Sequence, residues 1–174
     1  MLWFLIQPIK RVAVIAAALF AVWAMLWHAY PAWRSARDDP DYAAAYFDGV
    51  IPYDRVVASK YRGNTIYWSC TFAGVELAPD GPSTPPAVPD RGDWRLRWPD
   101  PDEWVWTPLI DDDPEDMLTP LDVVNECASD WPNAAGERLA EALSRPGSFY
   151  VDRGDTVTIF APAVGLAARI RYGD

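Results

Sequence analysis

From Val12 to Trp33 the chain runs for 22 residues without a formally charged side chain, built mostly of Ala, Val, Leu, Ile, Trp and Met. A helix needs about 20 such residues to cross the hydrocarbon core of a bilayer. The run therefore predicts a single transmembrane α-helix. Lys10 and Arg11 stand at its start, and the positive-inside rule puts them in the cytoplasm. The expected location is the cell inner membrane, single-pass, with the N-terminus cytoplasmic and the C-terminal domain periplasmic. A cleaved signal peptide is the competing reading. It needs small residues before a cut site, whereas Trp27-His28-Ala29-Tyr30-Pro31-Ala32-Trp33 is bulky and aromatic. Trp23, Trp27, Tyr30 and Trp33 at one end and Trp3 and Phe4 at the other fit interfacial aromatic belts. Pro8 interrupts helix upstream, leaving residues 1–7 to lie along the cytoplasmic surface.

Charge divides the chain in the same place. Residues 1–34 carry +3 and no acid, so residues 35–174 carry −13. Polyphosphate is repelled by such a domain, so nucleic acid is not an expected partner. The latter stretch, about 140 residues, suffices for one domain with its own core.

His28 is the only histidine, and it falls inside the apolar run. Counted from Arg11, it lies about 25 Å along a helix, near the far rim of the hydrocarbon core. An imidazole there needs a partner that lipid tails do not supply. Interfacial water is the plain partner. A metal held in a macrocycle is the functional one, because a neutral imidazole nitrogen ligates such metals well. Ala24, one turn earlier on the same face, leaves room for a flat ring.

The stretch Trp3-Phe4-Leu5-Ile6-Gln7-Pro8-Ile9-Lys10-Arg11-Val12, an apolar helix and then Ala24-x-x-x-His28 resembles the α polypeptide of the light-harvesting antenna complexes of purple phototrophic bacteria. The resemblance covers about 35 residues. It implies that His28 ligates the magnesium of a bacteriochlorophyll, that Ala24 accommodates the ring, and that Trp27, Tyr30 and Trp33 line the pigment. It also implies a carotenoid, an antenna β-type polypeptide, neighbouring α-type copies and a reaction centre as companions, and surrounding membrane lipid. The implied role is transfer of excitation energy towards the reaction centre, not catalysis. Gln7 stands where the family commonly has Asp or Asn, and the family's members are far shorter than this chain.

The remainder reads as α+β. Residues 1–34 form the cytoplasmic turn and antenna-like helix, 35–50 a connector with a short helix at 41–47, and 51–174 the periplasmic domain. Alternation predicts a strand over 65–77, and Pro and Gly predict a loop over 78–92. Trp94, Leu96 and Trp98 alternate with Arg95 and Arg97, and Trp104 and Trp106 flank Val105, which predicts a hairpin with an aromatic face. Thr119-Pro120-Leu121-Asp122 signals a helix start, a second helix spans about 134–144, and strands follow at 149–151, 156–160 and 167–172. Cys70 and Cys127 are the only cysteines. In an oxidising compartment they are expected to pair, and in the cytosol to stay free. The whole fold is thus expected to be a single transmembrane α-helix followed by an α+β periplasmic domain with one disulfide.

Other chemistry finds little support. The outer domain has no histidine, which removes His-based triads and most zinc sites. Asp111-Asp112-Asp113-Pro114-Glu115-Asp116 lacks the spacing and turn glycine of a calcium loop. Arg91-Gly92-Asp93 and Arg153-Gly154-Asp155 are ordinary turn chemistry. The alternatives to an antenna subunit are a bitopic accessory or assembly protein of another complex, and an anchored glycan-binding module using the Trp face. Under the antenna reading the purified protein absorbs in the near infrared and His28→Leu abolishes that absorption. A colourless preparation from the native host overturns it.

Overall fold

The computed structural model describes residues 15–25, 27, 39–61, 70–89, 91–93, 96–109 and 119–173. The chain divides into two compact units, Met1–Arg37 and Asp38–Asp174.

In the first unit residues 15–25 are helical, as is Trp27. Trp23 stacks on Trp27 with ring centroids 5.7 Å apart, and Phe20 lies 5.7 Å from Trp23, the pairings expected one turn apart. These residues correct the sequence expectation. Among the described residues no helix is long and apolar enough to cross a membrane. The described helical run spans only about 16 Å at 1.5 Å per residue, against a hydrocarbon core of ~30 Å. The transmembrane part of the expected fold falls with this finding. So does the single-pass inner-membrane location with a cytoplasmic N-terminus and a periplasmic domain.

The second unit is α+β. Helix α1 (Pro40–Phe47) leads into β1 (Tyr53–Lys60), β2 (Cys70–Leu77) and β3 (Val105–Trp106). Helices α2 (Pro120–Ala128) and α3 (Ala135–Ser144) follow, then β4 (Phe149–Asp152), β5 (Thr156–Ala161) and β6 (Leu166–Tyr172). The strands form one six-stranded sheet in the order β1-β2-β6-β5-β4-β3, with every pairing antiparallel.

Period-2 alternation sorts the sheet's side chains onto two cores. On one face Leu166, Ala168, Ile170, Val157 and Ile159 pack against Val123, Val124, Cys127 and Leu139 of α2 and α3. On the other, Ala73, Val75, Leu77, Phe160 and Ala167 pack against Tyr46 and Phe47 of α1, Ile51 and Trp98. Both faces of the sheet are therefore covered, which antiparallel sheets do not require.

Helix α2 starts where the sequence says it should. Thr119 and Asp122 form a capping box, the Thr119 side chain accepting from the Asp122 N–H while the Asp122 carboxylate accepts from the Thr119 N–H. Trp131, just beyond α2, lies against β2: a Cβ on Gly74 would come within 2.4 Å of its ring. Glycine is required there by close approach.

Of the expected hairpin of Trp94–Trp98 with Trp104–Trp106, Trp94 and Arg95 lie outside the described residues, and Leu96–Trp98 form no strand. β3 pairs with β4 instead, Val105 opposite Tyr150 and Trp106 opposite Phe149. Pro99 and Pro101 withdraw donors, and Trp98 turns into the α1-side core, where its indole N–H donates to the Pro86 carbonyl at 3.0 Å. β1 is a strand the sequence did not announce. It lies at the sheet edge and has two register shifts, so its polar residues do not alternate cleanly.

Cys70 and Cys127 form a disulfide across 57 residues, joining β2 to α2. In the chain-entropy model a loop of that length contributes about 4 kcal/mol. Reducing it is expected to lower unfolding free energy by roughly that amount, measured by urea denaturation with and without reductant. An unchanged midpoint contradicts the account.

Candidate functional site

Two places on the second unit carry chemistry that the packing alone does not need. One is the free edge at β3, the other a buried arginine beneath α1.

At the edge, the Thr107 N–H donates to the Ser148 carbonyl at 3.0 Å. Opposed residues in an antiparallel pair alternate between bonded and non-bonded, so Trp106, opposite Phe149, turns its own N–H and C=O outward. The ring geometry agrees: Trp106 and Phe149 meet edge to face at 4.6 Å, close as non-bonded pairs are. Val105 is 48% and Trp106 56% exposed. Beside them the Trp104 ring lies tilted against Trp98 with centroids 5.3 Å apart, and its indole N–H is buried without a partner among the described residues. Acids flank the strand. Glu103 takes the Arg153 guanidinium on both oxygens at 2.7 Å, and Arg97 binds Asp100 at 2.5 Å. Burial pushes the Glu103 carboxyl up, but Arg153, the Asp100 N–H and Arg97 together hold it below the usual range. On the other side the sequence runs into Asp111-Asp112-Asp113-Pro114-Glu115-Asp116.

Beneath α1, Arg169 of β6 is only 8% exposed. The register sets it beside Ala73 of β2 and Thr158 of β5. Its Nη1 donates to the Tyr42 hydroxyl at 2.6 Å, and its guanidinium lies 5.3 Å from the centre of the Tyr46 ring. Tyr42 and Tyr46 are one turn apart on α1, so both reach the same strand. Burial drives the Tyr46 phenol up to about 12, against the opposing pull of the Arg169 charge and a hydrogen bond with Thr158. Burial likewise raises Tyr42, with Arg169 opposing. The neighbouring cations are matched by acids: Arg171 binds Asp155 at 2.9 Å and Arg153 binds Glu103.

Of the residues singled out in the sequence, the disulfide pair is joined. Ala24 and Trp27 lie on the first unit's helix. His28, Tyr30, Trp33 and Trp94 lie outside the described residues. The Trp cluster is dispersed between roles: Trp98 is core at 4% exposure and Trp106 is surface. Arg153-Gly154-Asp155 is the β4–β5 turn, with Gly154 at φ +79° and its N–H donating to Asp152 at 2.8 Å. Among the described residues no cluster of His, Cys, Asp and Glu is arranged to hold a metal ion. Arg169 was not singled out in the sequence, where 167–172 read only as a strand. The Tyr42/Tyr46 spacing on α1 was the available signal that this face is covered. No protein-family model, curated protein or solved structure matches the chain.

Tyr46 makes alkaline stability a test of the α1–β6 contact. Its folded pKa lies above that of a free phenol. The contribution is therefore complete below about pH 10, and is lost as pH rises towards 12. Tyr46→Phe removes the titrating group while keeping the ring. We expect the variant to lose less stability than the wild type over that interval, read by urea denaturation at stepped pH. Equal losses contradict the assignment.

Proposed function

We propose that the second unit is a protein-binding module, and that its β3 edge receives a short extended segment of a partner rich in Lys and Arg. The observation that carries this reading is an edge strand with no outer partner among the described residues, bearing an exposed Trp106 and flanked in sequence by acidic stretches. Strand addition at a free edge draws affinity from main-chain hydrogen bonds and specificity from alternate side chains. The Trp106 N–H and C=O supply the first. Its ring offers apolar area and a face for a cationic side chain. In the sequence Asp102 precedes the strand and the acids of 111–116 follow it, charge that favours basic residues in the incoming segment and raises its association rate at low salt. Natural edges are usually guarded by charge or shape. β3 is guarded by acids, which repel other acidic strands and admit a basic one.

Labelled peptides alternating Lys with Val, and matched peptides alternating Glu with Val, test this by fluorescence anisotropy. The basic peptide is expected to bind with an affinity that falls with salt. Trp106→Ala should weaken it about tenfold or more, as removal of an aromatic anchor does. Absence of binding, or equal binding of the acidic peptide, overturns the reading.

The first unit keeps one observation in favour of the antenna expectation. Leu19, Phe20, Trp23 and Met25 all stand exposed on its helix, an apolar surface of the kind a pigment macrocycle covers. The absorption spectrum and His28→Leu decide it independently of the β3 edge.

A further inference from the structure

Among the described residues Arg169 is the one buried cation of the second unit's sheet, and no carboxylate there pairs with it. Among the described residues it makes no ion pair, and its one hydrogen bond is that from Nη1 to Tyr42. Its other N–H groups meet no acceptor there. A buried charge without a partner is costly. The Tyr46 ring face offsets only part of that, about 2 kcal/mol for a desolvated pair.

The groups around Arg169 are donors. Tyr42 Oη accepts from the guanidinium, which leaves its own hydrogen for an outside acceptor. Thr158 lies opposite Arg169 in the ladder and is buried, with its hydroxyl engaged by Tyr46. Arg171, two residues along the same strand, and Arg153 add positive potential at the tyrosines, although each is itself matched to an acid. The result is a local positive site within a strongly acidic domain.

We propose that Arg169 and Tyr42 form a binding site for a small oxyanion, a carboxylate or phosphate group, with the Tyr46 ring holding the guanidinium in place from behind. The planar guanidinium presents a fork of N–H donors that two oxygens of such a group accept together. The Tyr42 hydroxyl supplies a third donor beside it. This site is separate from the β3 edge and stands or falls without it.

Thermal unfolding of the full chain, titrated with sodium acetate or inorganic phosphate against sodium chloride of equal ionic strength, tests the proposal. Saturable stabilisation by acetate or phosphate beyond the chloride reference is expected, and the more effective anion names the head group. Tyr42→Phe, which keeps the ring and removes the hydroxyl, should weaken the anion about tenfold, the loss of one hydrogen bond to a charged group. Arg169→Met should abolish the response while leaving the anion-free protein at least as stable as the wild type, because an uncompensated buried charge is gone. No saturable effect in the wild type, or an undiminished effect in Tyr42→Phe, overturns the site. So does an undiminished effect in Arg169→Met. Should Arg169→Met not fold, Arg169 is a structural cation, which contradicts the stability expectation, and Tyr42→Phe still decides whether an anion binds.

Discussion

The second unit depends on the register of β6. This strand lies between β2 and β5 and serves two cores at once. Leu166, Ala168 and Ile170 face α2 and α3, while Ala167, Arg169 and Arg171 alternate with them. A slip of one residue would send Ile170 to the α1 side and Arg169 into the apolar interior beside Leu139. The hydrophobic effect therefore holds the register, and the register in turn fixes the depth of Arg169. Position on the strand, not any special local geometry, puts the guanidinium under the two tyrosines.

The cost of that placement is met unevenly. Elsewhere on the unit cations have acids at hand, as in Arg55–Glu76 and Arg145–Glu141, both at 2.5 Å. Exposed pairs of this kind contribute little each. Arg169 is the reverse case, deep and, among the described residues, matched only to neutral phenols. Folding tolerates it because the opposite face of the sheet is apolar from Val157 to Ile170, and because the disulfide shifts the balance by restricting the unfolded chain.

Much of the second unit was legible from residues alone. Capping at Thr119, glycine and proline punctuation, and strict alternation in the last three strands all act locally, and all lie where the structure puts them. The long-range choices were not legible. Trp104 and Trp106 look equally able to pair with residues 94–98 or with β4. Only the burial of Trp98 beside Tyr46 and Phe47, centroids 6.0 and 6.3 Å away, settles it, and that contact spans fifty residues. β1 was hidden because edge strands carry charge to discourage association, and charge masks periodicity. In the first unit the reading from apolar length gave a span that the described helix does not reach. Candidate-site residues fared similarly. Trp106 was singled out within an aromatic group whose members do different jobs. Arg169 carries no local signal of depth: alternating Arg and Ile fits a sheet with one solvated face as well as one with both faces covered.

The bond between Cys70 and Cys127 encloses β3, the Pro-rich stretch after β2 and the acidic run before α2. The longest described stretch of irregular backbone in the unit, 78–89, is therefore inside one covalent ring. A protease that cuts once within that ring produces two polypeptides that remain a single molecule, with β1, β2 and the final three strands still tethered. Such nicking would pass unnoticed on a non-reducing gel and be revealed only when thiol is added.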